Sequence, residues 1–215
     1  MSAPTLLPAT HHTTALGQDE ICWHSWGDPY APRCVVLLHG FMGCGLDFES
    51  WVGHLGAGWF LAPDMPHHGG THVRSEASVE WTADLLGRWL EGLGVTHMDL
   101  VGYSMGGRVA LAGAARQVWP GLQSLALIGA SPGLETQQER AQRVTQDERL
   151  AASLETHTME AFLQMWRQKP VIASQRNIPP QVRQRMDARR VAQSPSALAR
   201  SLRQMGTGRM RPVPI

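Results

Sequence analysis

The stretch Met98-Asp99-Leu100-Val101-Gly102-Tyr103-Ser104-Met105-Gly106-Gly107-Arg108-Val109-Ala110 constrains this chain more than any other. An apolar run enters Gly102-x-Ser104-x-Gly106, and an Ala-rich helical pattern leaves it. The order is strand, sharp turn, helix, with Ser104 at the turn. Side chains at 102 and 106 would strike the neighbouring strand and helix, so both positions need glycine. Ser104 is forced into a strained backbone conformation. Its hydroxyl then stands above a sheet, beside the positive end of a helix. A plain Gly-rich connection would satisfy the same spacing, but the strand and helix patterns on either side favour a nucleophile.

Strands and helices alternate around this turn. Residues 1–13 read as frayed, and Glu20 to Trp26 as an early strand at a sheet edge. Cys34 to Leu38 is a continuous apolar run, suited to a strand buried on both faces. It leads into His39-Gly40-Phe41-Met42-Gly43-Cys44-Gly45. No Gly-Lys-Ser/Thr follows, which argues against a phosphate-binding loop. The loop instead offers the Phe41 backbone N–H, which with that of Met105 could face a developing oxyanion. Trp59 to Pro63 is the next strand. Trp81, Leu85, Leu86, Trp89, Leu90 and Leu93 then recur at helical spacing, as core packing. A helix from Val109 to Val118 stops at Pro120, and Leu122 to Ile128 forms the following strand. Such alternation implies a parallel, doubly wound α/β sheet. Beyond Pro132 the pattern turns helical and reads as a lid that excludes water. The expected division is a core over 14–133, a helical lid over 134–205 and a tail over 206–215.

Charge narrows the function classes. The net charge is +1, so nothing pulls the whole chain toward nucleic acid or a membrane. The balance is uneven: up to residue 139 there are 5 basic and 13 acidic residues, and from 140 onward 14 basic and 5 acidic. A basic lid over an anionic ligand fits this asymmetry. Cys22, Cys34 and Cys44 are too few for a disulfide framework and suit a reducing cytoplasm. No Cys/His cluster has metal-ligand spacing along the chain, so neither metal nor cofactor is expected. The first residues lack a signal-peptide pattern, and no apolar run approaches the roughly 20 residues of a membrane span.

The elbow, the His39-Gly40 loop and the strand–helix order resemble the α/β-hydrolase superfamily. The second half resembles one branch of it. The residues concerned are Gly129-Ala130-Ser131-Pro132-Gly133-Leu134-Glu135-Thr136, Glu139-Arg140-x-x-Arg143 with Asp147, Phe162 to Trp166, and Ser201 to Gly208. The branch is the 2-succinyl-6-hydroxy-2,4-cyclohexadiene-1-carboxylate synthases of menaquinone biosynthesis. They are lyases that eliminate pyruvate from 2-succinyl-5-enolpyruvyl-6-hydroxy-3-cyclohexene-1-carboxylate. The resemblance implies that Ser104 takes a ring proton and that Phe41 and Met105 form the oxyanion hole. It implies a small anionic substrate with several carboxylates, contacted by His39, Tyr103, Arg108, Arg143, Trp166 and Arg190. Ester or carbon–carbon hydrolysis and an inactive ligand-binding remnant are the competing readings. The protein is expected to be a monomer or homo-oligomer.

Two departures stand out. Asp64-Met65-Pro66-His67-His68-Gly69 replaces the usual Asp-x-Pro-Gly-His-Gly. The triad order of this fold is Ser, acid, His, and the last histidine here is His157. The final strands and helices, and with them the triad Asp and His, are therefore expected to be missing before Ile215. Losing a triad member reduces rate on the order of a million-fold.

Overall fold

In a computed structural model, residues 8–214 are described, with the side chains of 171, 173, 174 and 176 left aside. Six strands form one sheet: β1 (Thr10–Leu16), β2 (Asp19–Gly27), β3 (Cys34–Leu38), β4 (Trp59–Pro63), β5 (Met98–Tyr103) and β6 (Leu122–Ile128), in the order β1-β2-β4-β3-β5-β6. β4, β3, β5 and β6 run parallel, and the β1–β2 hairpin joins antiparallel through β2. Seven helices follow or interrupt the strands: α1 (Glu49–Val52), α2 (Val79–Gly92), α3 (Met105–Ala115), α4 (Gln137–Thr156), α5 (Met159–Trp166), α6 (Pro180–Val191) and α7 (Pro195–Met205).

β3 shows why an unbroken apolar run belongs at the centre of such a sheet. Val36 and Leu38 join one core cluster with Leu85, Leu86 and Trp89 of α2 and Val109 and Ala110 of α3. Val35 and Leu37 point the other way, into a cluster with Trp26, Phe48 and Phe60. Successive side chains alternate across the sheet, so both faces demand hydrophobic residues. A third cluster ties the helices together through Leu154, Phe162, Leu163, Leu198 and Leu202. Met42, from the loop after β3, inserts into it.

Two expectations need amendment. The early strand is β2, and it lies second in the sheet; the edge is β1. β1 reads Thr-His-His-Thr-Thr-Ala-Leu, and edge strands with one wet face need no apolar pattern. Part of the segment read as frayed is thus ordered strand; residues 1–7 lie outside the described residues. Residues 206–214 pack against the rest of the chain. Met210 is buried, the Val213 N–H donates to the Pro132 carbonyl at 2.7 Å, and the Arg211 N–H donates to Glu80 at 2.9 Å. Met205, at the end of α7, enters the main core cluster beside α2 and α3.

Candidate active site

The turn at Ser104 is as strained as its sequence requires. Ser104 has φ 51° and ψ −109°, which a residue with a Cβ adopts only when its surroundings enforce it. Those surroundings are explicit. The Ser104 N–H donates to the Ile128 carbonyl at 2.8 Å, and the Gly106 N–H donates to the His39 carbonyl at 3.0 Å. A Cβ at Gly106 would collide with the Leu38 carbonyl. One at Gly102 would lie 2.5 Å from the Gly107 Cα. The ends of β3 and β6 therefore clamp the elbow from both sides. Ser104 caps α3, so its hydroxyl sits at the positive end of that helix.

Ser104 lines a cavity of about 490 Å³. Phe41, Tyr103, Met105, Arg108, Arg143, Trp166 and Arg190 line it too. Eight of the nine residues singled out in the sequence thus meet around one space. Among the described residues, the backbone N–H groups of Phe41 and Met105 donate to no other group. They remain available to a ligand atom. The Phe41 and Trp166 rings meet edge to face at 5.6 Å, and Phe162 stacks behind Trp166 at 6.1 Å.

Cations dominate the polar lining. Arg108 is buried and donates to the Met205 carbonyl at 2.6 Å. Burial, then the neighbouring Arg143, lowers its pKa to about 10, so it stays charged at neutral pH. Arg143 donates to Asp147 at 2.8 Å, one helical turn on. Asp147 is buried, and burial pushes its carboxyl pKa up despite that arginine. Arg190 is buried and donates to Gln175 at 3.0 Å, while its Nε has no partner among the described residues.

His39 is placed differently. Its Nε2 accepts from the Met65 N–H at 2.9 Å and its Nδ1 donates to the Gly40 carbonyl at 2.8 Å. Both ring nitrogens are committed to backbone, so the ring braces the loop that follows β3. It borders a neighbouring cavity of about 660 Å³, which shares Phe41, Tyr103 and Arg190 with the first. His67 occupies the loop position where the resembled pattern has glycine, and its φ is 66°. That left-handed conformation favours glycine. A 2.8 Å hydrogen bond from the ring to Gln204 of α7 anchors it instead. No histidine is among the described residues lining the Ser104 cavity, and none of them hydrogen-bonds the Ser104 hydroxyl.

A family model of the alpha/beta hydrolase fold matches residues 33–186 of the chain. The chain belongs to the alpha/beta hydrolase family. Among curated relatives of this alpha/beta hydrolase is 2-succinyl-6-hydroxy-2,4-cyclohexadiene-1-carboxylate synthase of Shigella sonnei. It is 38% identical over 151 residues, covering 69% of this chain and 58% of the relative. The synthase of Escherichia coli O157:H7 is 37% identical over 149 residues, with the same coverage. The chain thus spans less than two thirds of the length of these relatives. Among solved structures, MenH from S. aureus superposes with a TM-score of 0.81 at 27% identity, covering 88% of this chain and 73% of that one. A thermophilic esterase from Thermogutta terrifontis superposes at 0.70 with 21% identity, covering 92% and 72%, a likeness of fold alone.

Several cavity residues escaped the sequence reading. Asp147 was quoted within a motif but given no place in the site. Gln175, Ser201 and Thr207 also line the space. The signal for Asp147 was its position four residues after Arg143 on one helix. A second signal was Gly206, where a Cβ would collide with the Asp147 carboxylate. Ser201 and Thr207 lie in the Ser201–Gly208 stretch that carries the resemblance, but nothing local placed them in the site, and nothing local marked Gln175.

Proposed function

We propose that this chain carries the proton-abstracting, oxyanion-stabilising and substrate-binding groups of a lyase that eliminates pyruvate from 2-succinyl-5-enolpyruvyl-6-hydroxy-3-cyclohexene-1-carboxylate. One observation carries the reading: a strained serine and two unengaged backbone N–H groups open onto a cavity that also holds Arg108, Arg143 and Arg190. The names and likeness of the synthase relatives support it.

The chemistry fits the parts. Ser104 acts as its alkoxide, its own proton having passed to solvent, and takes the ring proton beside the succinyl ketone. Charge develops on the ketone oxygen, where the Phe41 and Met105 N–H groups stabilise it. The electron pair returns through the ring double bond and expels the enolpyruvyl oxygen. Protonation of that leaving group gives pyruvate, and the ring becomes the 2,4-diene. The substrate bears one carboxylate on the succinyl arm, one on the ring and one on the enolpyruvyl group. Guanidinium forks bind such groups in bidentate fashion. A neutral ester would need no such set of cations. Ser104 draws its activation from the elbow and the helix terminus in the described chain, so turnover is expected to be slow.

The test measures pyruvate release by the 215-residue chain, with substrate binding followed by calorimetry and a short nitrophenyl ester as the competing substrate. Pyruvate release abolished by Ser104→Ala supports the proposal. Ester cleavage without pyruvate release favours a hydrolase. Binding without turnover, unchanged by Ser104→Ala, favours a ligand-binding role, and neither binding nor turnover overturns the reading.

A further inference from the structure

A second cluster of chemistry-bearing side chains lies away from the Ser104 cavity, on one face of the sheet where β1, β2 and β4 meet. Cys22 and His24 stand two apart on β2 and therefore face the same side. His11 of β1 is the register partner of His24. Asp64, just past β4, is paired beside Cys22, to whose carbonyl its N–H donates at 2.9 Å. The donor atoms of Cys22, His24 and Asp64 lie within 4.8 Å of one another, and all three residues are buried. His11 Nε2 lies beside that set, 3.1 Å from Cys22 Sγ. His24 Nε2 is 4.0 Å from Asp64 Oδ1.

The group is poorly explained by packing alone. His24 is 6% exposed, and its Nδ1 is buried without a partner among the described residues. Burying an unpartnered ring nitrogen is unfavourable. Asp64 is held from behind: Oδ1 accepts from the Gly45 N–H at 2.7 Å and Oδ2 from the Gly70 N–H at 2.9 Å. Each oxygen keeps a second lone pair, and such backbone donors orient a carboxylate as partners outside a metal's first sphere do.

We infer that His11, Cys22, His24 and Asp64 form a binding site for a divalent transition metal of the zinc class. A tetrahedral ion with bonds of about 2.0–2.3 Å sets its donors roughly 3.3–3.8 Å apart. The separations among Cys22, His24 and Asp64, all within 4.8 Å, reach that range with shifts of about an ångström, and His11 swings in from its exposed position by side-chain rotation. Two imidazoles, a thiolate and a carboxylate suit zinc and do not suit calcium or magnesium, which take oxygen ligands. Binding replaces the Cys22 S–H bond with a metal–sulfur bond and releases one proton to solvent, with no change of oxidation state. Four protein ligands leave no open position, so the ion is structural. It staples the edge strand β1 to the loop that follows β4. Sequence spacing hides the site because its ligands come from three segments that only the sheet register joins.

The test titrates the chelator-treated 215-residue chain with Co²⁺ and then Zn²⁺. One equivalent of Co²⁺ is expected to give a thiolate-to-cobalt charge-transfer band and the intense visible bands of tetrahedral cobalt, both removed by Zn²⁺. Cys22→Ser abolishes the charge-transfer band, whereas Cys34→Ser and Cys44→Ser retain it. His11→Ala, on the exposed edge strand, keeps the fold but weakens Zn²⁺ binding at least tenfold. It also loses the rise in Tm that Zn²⁺ gives the parent chain. Absence of the charge-transfer band, its persistence in Cys22→Ser, or unchanged Zn²⁺ affinity in His11→Ala overturns the inference.

Discussion

The two walls of the Ser104 cavity are made of different material. On the sheet side the working atoms are backbone: the elbow at 102–106, the Phe41 and Met105 N–H groups, and the loop braced by His39. On the helical side they are side-chain tips: Arg143 and Asp147 from α4, Trp166 from α5 and Arg190 from α6. Backbone geometry is fixed by a few steric requirements. Side-chain tips depend on how whole helices pack. The first wall should therefore break by losing its fold, and the second by losing affinity with the fold retained.

The largest effect is expected at Gly106. Gly106→Ala places a Cβ into the Leu38 carbonyl, a clash of backbone against backbone that no rotamer relieves. The expected loss is roughly 3 kcal/mol or more, read as a collapse of the urea midpoint or no folded product. Gly92→Ala is the matched control. A Cβ there meets nothing within 4 Å, and an alanine in α2 should hold or raise stability by up to about 1 kcal/mol. Equal losses in the two variants would erase the claim that the elbow is sterically fixed.

Acid should weaken the sheet wall next. His39, His67 and His68 brace it, and burial lowers the pKa of each below the ordinary 6.5. Below about pH 6.5 the unfolded chain therefore binds more protons than the folded one. Stability present at pH 7.5 is lost as pH falls through 6.5 toward the depressed values. Each histidine contributes up to about 1.4 kcal/mol per pH unit in that window, and Tm falls by roughly 2–4 °C per kcal/mol. Melting at pH 7.5 and 5.5 measures this. A Tm unchanged between them would mean the histidines are not buried neutral.

The contrast between walls also sets what the sequence could show. The elbow was legible because glycine spacing states a steric fact within five residues. β3 and β5 were legible for a similar reason, since a strand in the middle of a parallel sheet must be apolar. β1 was not, because an edge strand of threonine and histidine satisfies its hydrogen bonds without a hydrophobic signature. Arg108, on α3, was legible through its one-turn distance from Ser104. Asp147, Gln175 and Ser201 were not, because the cavity takes them from helices whose crossing no local pattern encodes.

The side-chain cations, Arg108 beside the elbow and Arg143 on the helical wall, should yield affinity without yielding the fold. Arg108 is buried against the elbow and reaches the Met205 carbonyl. Arg108→Met is expected to weaken binding of the carboxylated substrate by roughly 10- to 100-fold, the range for a buried charge-assisted hydrogen bond. Arg143 is more open, with its side chain 39% exposed. Arg143→Met should weaken binding by less than about tenfold, because solvent screens its charge. Calorimetry on both variants ranks them, and the reverse order would place the ligand's charge nearer α4 than the elbow.

The smallest effect on stability is expected at β6, which tests the same contrast outside the cavity. β3 and β6 run parallel in one sheet, β3 as an unbroken apolar run and β6 with Gln123 and Ser124 ahead of Leu125 to Ile128. β3 is buried on both faces, while Leu127 and Ile128 of β6 are 40% and 38% exposed. Exposed apolar side chains on an outer strand are a template for association and add little to the fold. Leu127→Lys should leave the urea midpoint within about 0.5 kcal/mol of the parent, as surface substitutions do. It should lower light scattering at high protein concentration. A matching Leu37→Lys would place a charge in the core cluster with Trp26 and Phe60 and should not fold. If Leu127→Lys destabilises the chain as severely, β6 is covered in solution by another surface, and the exposed strand is in use.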